Sequence, residues 1–280
     1  MACLMVGVAL SGPIRAEAAQ DRSTMAWAVI LDPHQPLDLR RQTLAGLEEH
    51  APDDDQHDLY LLGSLYQMGP KASGAPVPQD LTKATLYLGN AALRGSLLAM
   101  AKMAEIKLAE HKDREAMIWA QVFAHYVTQV PGDERPPEGY IAELVQRILD
   151  RLGQAGMPQV MSDVAGFVAQ HDAAILAGLR AQSRAKTPRP QSGEHFVTMP
   201  PGRFAPQSGI ADYLVAFRPD GSVEHAWLLD AVPNPSLGGA LHHYVHGMTL
   251  PARSGEDGRL RYEWVPAMYD DHRYRAKSGA

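Results

Sequence analysis

The sequence predicts an α-helical repeat region, built as a stack of helical hairpins, followed by a small α+β domain. Apolar residues recur at three- and four-residue steps from about Leu39 to Ala181. Prolines then gather between Ser183 and Pro206, and beyond them apolar residues alternate with a period of two. The predicted divisions are a signal peptide at 1–18, the helical region at 19–182, a proline-containing linker at 183–199, the α+β domain at 200–272 and a disordered tail at 273–280.

The first residues have the composition of a secretory signal peptide. A short apolar run, Ala2 to Leu10, leads to Ala16 and Ala18, the small residues of an A-x-A cleavage motif. We therefore expect export and cleavage after Ala18. No Lys or Arg precedes the apolar run, and a buried first helix is the alternative. Cys3, the single cysteine, lies in this segment, so the expected mature chain has no disulfide and no cysteine-ligated metal.

The charge of the chain argues against a nucleic-acid partner, and its hydropathy argues against a membrane-spanning segment. The net charge of -6 is spread along the chain without long basic runs, which argues against nucleic acid as the ligand. The densest basic stretch, Arg180 to Arg189, lies in a proline-containing segment and is typical of a solvated linker. No second apolar segment approaches the length that spans a bilayer, so no integral membrane segment is expected after signal cleavage.

Capping residues mark the helices of the first region. Asp80 is placed to cap the helix in DLTKATLYLGNAALRG, and Gly95 to end it. Ser96 and Asp113 stand at the starts of the next two helical patterns, and Gly153 closes a fourth. Small residues recur at helical steps and favour close antiparallel packing of hairpins; they are Gly63, Ala84, Ala92, Ala101, Ala104, Ala116 and Ala120.

This region resembles the Sel-one-like repeat, a relative of the tetratricopeptide repeat. The residues that match its pattern are Leu62, Gly63, Tyr66, Gly69, Asp80, Lys83, Ala84, Tyr87, Ala91, Ala92 and Gly95. A weaker second copy follows, in which Ala101 takes the place of Gly63, Ala116 that of Ala84 and Trp119 that of Tyr87. The resemblance implies stacked helical hairpins that serve as a scaffold for protein partners. An alanine-rich helical bundle with accidental spacing is the alternative.

The C-terminal part has the pattern of a hairpin, a helix and a strand. Two alternating runs flank Arg218 to Gly221, where Pro-Asp-Gly is turn chemistry. A short helix is predicted from Pro235 to Gly247, and alternation resumes from Gly258 to Pro266. This layout predicts a small antiparallel sheet covered by one helix.

The same stretch, roughly Pro200 to Pro266, resembles the C-terminal domain of the TonB family. The matching residues are Phe204, Pro206, Gly209, Val215, Phe217, Asp220, Gly221, Val223, Ala240, Leu241, Leu250, Pro251 and Ala252. The departures are Asp212 where the first strand usually starts with Gly, the helix-weakening Gly238 and Gly239, and Met248 where Trp is common. The resemblance implies a Gram-negative envelope protein that binds an extended peptide by strand addition.

Histidines near the C-terminus are the candidate metal ligands. His242 and His246 are four residues apart, a spacing that helical zinc ligands use, and Glu224 and His225 lie on a neighbouring predicted strand. A metal site would use His225, His242 and His246. The favoured interpretation is that His242, His243 and His246 face water while Leu241 and Val245 pack on the sheet, because no HExxH motif or cysteine pair supports a metal.

The expected function is therefore that of an exported, non-catalytic protein of the periplasm. No nucleophile elbow, phosphate-binding loop or dinucleotide fingerprint occurs, so no catalytic residue and no cofactor are predicted. The expected partner is a protein or peptide of the cell envelope. The alternatives are an exported metal-dependent hydrolase that uses the C-terminal histidines, and a cell-wall-associated binding module.

Overall fold

The structure is a computed structural model that describes residues 23–51, 56–71, 75–132, 135–184, 191–192, 208–252 and 259–270. The predicted signal peptide, most of the predicted linker and the predicted tail lie outside these residues. Helices dominate the N-terminal part, and a small antiparallel sheet with one helix follows, which confirms the predicted order of a helical region and an α+β region.

Eight α-helices precede the sheet in the part of the chain that the structure describes. They are α1 (23–31), α2 (Leu37–His50), α3 (Gln56–Met68), α4 (Leu81–Leu93), α5 (Leu97–Ala109), α6 (Asp113–Val127), α7 (Glu138–Leu152) and α8 (Met157–Arg184). Short 3-10 turns lie at Gly69–Lys71 and Gln154–Gly156. None of the described helices combines the length and the apolar character that crossing a membrane requires.

The predicted caps hold α4 and α5 at their starts. The Asp80 carboxylate accepts the backbone N–H of Lys83 at 2.9 Å, and the Ser96 hydroxyl accepts that of Ala99 at 3.3 Å. Gly95, at φ +93°, makes the tight connection between these two helices because residues with side chains rarely adopt that backbone.

Close helix packing accounts for the small residues. Helices α3 and α4 form one antiparallel hairpin and α5 and α6 a second, with α4 packed on α5. A Cβ added at Gly63 would lie 2.6 Å from the Leu88 side chain, so α3 and α4 touch where the Cβ is missing. In the second hairpin Ala101 and Ala116 are fully buried at the corresponding positions.

Helix α1 was not predicted from the sequence. Its Trp27 is fully buried and lies edge-on to Trp264 of the sheet, with ring centroids 5.7 Å apart. Asp58 of α3 accepts hydrogen bonds from the Ser23 hydroxyl at 2.6 Å and the Trp27 indole N–H at 3.2 Å. One carboxylate therefore anchors α1 to the first hairpin.

The sheet contains the predicted hairpin and the predicted last strand. The strands and the following helix are β1 (Gln191–Ser192), β2 (Gly209–Phe217), β3 (Val223–Val232), α9 (Ser236–His246), β4 (Met248–Thr249) and β5 (Arg261–Tyr269). The three long strands are antiparallel in the order β3-β2-β5, and β1 pairs with β4 separately. The Pro-Asp-Gly turn is closed by the Gly221 N–H bonded to the Arg218 carbonyl at 2.9 Å.

The two faces of the sheet meet different partners. Helix α9 covers one face, where Leu237, Leu241 and Val245 pack with Tyr213 and Phe217 in one apolar cluster. The other face joins the helical core through residues of all three long strands; they are Ile210, Leu214, Leu229, Val232, Trp227, Tyr262, Trp264 and Met268. Helices and sheet therefore share a hydrophobic core, whereas the sequence predicts them as separate domains.

Candidate functional site

The histidines of α9 lie on the water side of the helix. His242, His243 and His246 are exposed, while Leu241 and Val245 are buried against the sheet. The rings of His242 and His246 are 4.4 Å apart between centroids. Partial burial lowers the pKa of His246, and the neighbouring His242, His225 and His243 lower it further because a second positive charge is repelled there.

The metal candidates His225, His242 and His246 are thus close enough to influence one another. Across the described residues, however, no group of three or more His, Cys, Asp or Glu side chains is placed to hold a metal ion. His225 instead contacts Glu224 at 3.8 Å and lies beside the Trp227 ring, with centroids 5.4 Å apart.

Strand β5 offers an unpaired edge. It pairs with β2 on one side, and no described strand pairs with its other side. Pro266 is opposite Asp212 and has no N–H to donate, so we infer that its nitrogen faces the free edge. By the strand period of two, the backbone of Tyr262 and Trp264 faces that edge as well. The opposite edge strand, β3, likewise pairs with β2 alone among the described strands, and α3 and α9 pack against it.

A groove of about 400 Å³ lies between α1 and the sheet near the start of β5. Its apolar wall includes Met25, which is 62% exposed, together with Trp227, Leu260 and Tyr262. The rings of Trp227 and Tyr262 are stacked at 6.3 Å. Asp32 lines the polar side, where it accepts the His34 backbone N–H at 2.9 Å.

A second candidate site is a charge cluster in the shared core. Asp212 of β2 and Asp230 of β3 are cross-strand partners, and both are buried. Like charges placed directly opposite on a sheet repel each other, and burial increases the cost because water no longer screens them. Such a pair requires a compensating cation or a shared proton.

Lys102 of α5 supplies the cation. Its side chain is 0% exposed, and its Nζ lies 2.5 Å from Asp212 Oδ2 and 2.5 Å from Asp230 Oδ2. The same Nζ donates to the Ser64 hydroxyl at 2.6 Å, and the Tyr60 hydroxyl donates to Asp212 Oδ2 at 2.6 Å. The Nζ also lies 4.5 Å from the centre of the Tyr60 ring. Residues from α3, α5, β2 and β3 therefore meet around one ammonium group.

The protonation states in this cluster follow from burial and neighbouring charge. Burial lowers the pKa of Lys102, but attraction to Asp212 and Asp230 outweighs this effect and raises the pKa above its ordinary value. Burial raises the pKa of Asp230 to about 6, against the opposing effect of Lys102. Asp230 Oδ1 has no hydrogen-bond partner among the described residues, which also favours the neutral carboxyl group.

A neighbouring ion pair connects α5 to α7. Glu105 accepts two hydrogen bonds from the Arg147 guanidinium, at 3.0 Å and 2.5 Å, and one from the Tyr140 hydroxyl at 3.2 Å. This fork geometry fixes the orientation of the two helices. Helix α5 therefore carries two buried charges, Lys102 and Glu105, one turn apart.

The charge cluster was missed at the sequence level, although its residues carry a signal. Lys102 interrupts an apolar helix, and Asp212 and Asp230 interrupt apolar strands. A lone charge inside a buried element requires a partner of the opposite sign. Comparison with the TonB pattern singles out Asp212 only as a departure from that pattern.

In comparisons with known proteins, the chain matches no family model, no curated protein and no solved structure.

Proposed function

We propose that this protein is an exported, non-catalytic interaction protein of the periplasm that binds an extended peptide by strand addition to β5. The helical region is the scaffold, in the manner of Sel-one-like repeats, and the sheet with α9 is a TonB-like binding module. The unpaired outer edge of β5 is the observation that carries the proposal. Main-chain hydrogen bonds supply affinity in this mode, and pockets for alternate side chains supply specificity.

The groove beside β5 supports the same proposal. Tyr262 of β5 and Leu260, which directly precedes β5, both line the groove. A peptide strand paired with β5 directs every second side chain toward the helix-facing side of the sheet. An apolar side chain there can enter the groove between Met25 and Tyr262. Pro266 has no N–H to donate, so it limits the hydrogen bonds between the peptide and the far end of β5.

Peptides selected from a display library against the folded protein test strand addition. N-methylation of alternate peptide amides should abolish binding, because those amides donate to β5. Methylation of the intervening amides should leave binding intact, which provides the matched control. Equal sensitivity at both sets of positions would contradict pairing with a strand.

Hydrogen exchange locates the bound peptide on the protein. The amides of Tyr262 and Trp264 should exchange rapidly in the free protein and slow down when the peptide binds. The Glu263 amide, which we expect to face β2, should already be protected and should change little. Slowing confined to the helices would contradict binding at β5. Cross-linked capture from native periplasm can then identify the partner.

Export has its own test, because the first 22 residues lie outside the described part of the chain. The N-terminus of the exported protein should be Ala19. A chain that retains Met1 or begins elsewhere would contradict cleavage after Ala18. Ala18→Arg should block processing at this position by removing the small residue of the cleavage motif.

A further inference from the structure

We propose that Lys102 and Asp230 condense into an amide, a covalent cross-link between helix α5 and strand β3 in which Asp212 relays the protons. The reacting groups are already in contact, since Lys102 Nζ lies 2.5 Å from Asp230 Oδ2 and the carboxyl carbon is one bond further. Both side chains are almost completely buried, at 0% and 1% exposure. The inference is independent of peptide binding at β5.

The two aspartates have different roles in the proposed reaction, Asp212 as the base and Asp230 as the carboxyl group that the amine attacks. Asp212 Oδ2 accepts hydrogen bonds from both Tyr60 and Lys102, and this contact with the Lys102 ammonium places it to act as the base. Asp230 Oδ2 accepts a hydrogen bond from Lys102, whereas Asp230 Oδ1 has no hydrogen-bond partner among the described residues. A neutral carboxyl group is the form that an amine can attack, and the raised pKa of Asp230 agrees with that role.

The step balances within the cluster. Asp212 takes one proton from the Lys102 ammonium, and the amine lone pair attacks the carboxyl carbon of Asp230. The Nζ–Cγ bond forms and one Cγ–O bond breaks; the leaving hydroxyl takes a second nitrogen proton by way of Asp212 and departs as water. Asp212 ends with one proton, so the cluster is neutral before and after the reaction, and no oxidant or other co-reactant is needed.

Burial provides the driving force for the condensation, and the fixed contact between the reacting groups increases its rate. The reaction replaces a buried ammonium and a buried carboxylate with an amide and a neutral acid, which relieves the desolvation penalty of the two ions. Contact between nucleophile and electrophile in one fixed geometry raises their effective concentration far above that in solution. Exclusion of bulk water from the core disfavours hydrolysis of the product.

The mass of the full-length chain under denaturing conditions tests the proposal. The wild-type chain should weigh one water molecule less than its sequence requires, and a proteolytic map should contain one branched peptide that joins Lys102 to Asp230. Lys102→Met should have its full sequence mass. Wild-type protein at full mass, with Lys102 and Asp230 in separate peptides, overturns the proposal, and so does a link from Lys102 to Asp212.

Asp230→Asn is the matched variant. In this variant the cross-link to Lys102 forms with loss of ammonia instead of water. The cross-linked product should therefore have the same mass as the wild-type product. Asp212→Asn removes the base and should leave both reacting residues unlinked. A nick between Arg184 and Arg203 gives a second readout: the two wild-type pieces should stay joined in a denaturing gel, and separation of these pieces overturns the proposal.

Discussion

At the scale of single residues, Lys102 connects the helical region to the sheet through its contacts with Asp212 and Asp230. Before the proposed amide forms, its ammonium group lies between these two cross-strand partners, and it reaches them from a helix that belongs to the N-terminal region. Removal of one member of a buried ion group leaves an uncompensated charge, which costs far more than an exposed ion pair contributes.

We expect Lys102→Met to destabilise the protein by about 3–5 kcal/mol, because the two buried aspartates would lose their common partner. Chemical unfolding measures the change. Lys102→Met combined with Asp212→Leu and Asp230→Leu should recover most of the loss, since no unpaired charge then remains in the core. A midpoint of unfolding unchanged by Lys102→Met would show that the cluster is not buried as described.

Replacement of His242, His243 and His246 together by Gln should leave the fold intact. All three are exposed, and exposed polar replacements usually change stability by less than about 0.5 kcal/mol each. Leu241→Ala on the same helix is the control, because Leu241 is buried and its truncation should cost about 2–5 kcal/mol. Loss of a stoichiometric metal from the triple variant, measured by elemental analysis, would instead support the metal-dependent alternative.

The pH dependence of stability reports on the same histidines. The pKa of His246 is lowered in the folded state, so the unfolded chain binds more protons as the pH falls through about 6.5, the ordinary histidine value. Acidification should therefore destabilise the wild type more than His246→Gln. Unfolding curves recorded on both sides of this pH give the comparison, and parallel curves would contradict it.

At the scale of secondary-structure elements, the tight helical hairpin restricts which side chains fit between α3 and α4. Gly63→Ala should destabilise the protein, because the new Cβ meets Leu88 at 2.6 Å. Gly46→Ala in α2 is the matched control: no atom lies within 4 Å, so only the gain in helix propensity remains, and stability should rise by up to about 1 kcal/mol. Thermal unfolding of both variants should shift in opposite directions.

Ala84 provides the corresponding test on the partner helix. It is fully buried, so Ala84→Leu adds methylenes where no space exists and should cost about 1–3 kcal/mol. An unchanged midpoint of unfolding would mean that the register of the two hairpins is wrong.

Elements that are marked by residues within one helical turn could be predicted from the sequence. Elements that depend on contacts between residues far apart in the chain could not. Asp80, Ser96 and Gly95 act within one helical turn, so their roles are visible in the sequence alone. Helix α1 was missed because its stability comes from Trp27 packing on Trp264, a contact between residues far apart in the chain. The charge cluster was missed for the same reason, since strand register and helix packing together place Lys102 between two aspartates.

At the scale of the whole molecule, the shared core ties the helices to the sheet. The change of periodicity near Ser183 predicts a boundary, and the boundary itself stays a prediction. Limited proteolysis should cut first between Arg184 and Arg203, where prolines gather. Because the sheet packs on the helices, the two pieces should elute together under native conditions. First cuts between Leu81 and Tyr126 would contradict the boundary.

The sequence separation of the charge cluster has a consequence for the order of folding. Lys102 is 110 residues from Asp212 and 128 residues from Asp230. During synthesis the helical hairpins are complete well before β2 and β3 are made, and in that interval a closed hairpin core would enclose an ammonium group without a counter-charge. The helices around Lys102 are therefore expected to remain loosely packed until the strands arrive. Arrival of the C-terminal strands is then the step that completes the helical core.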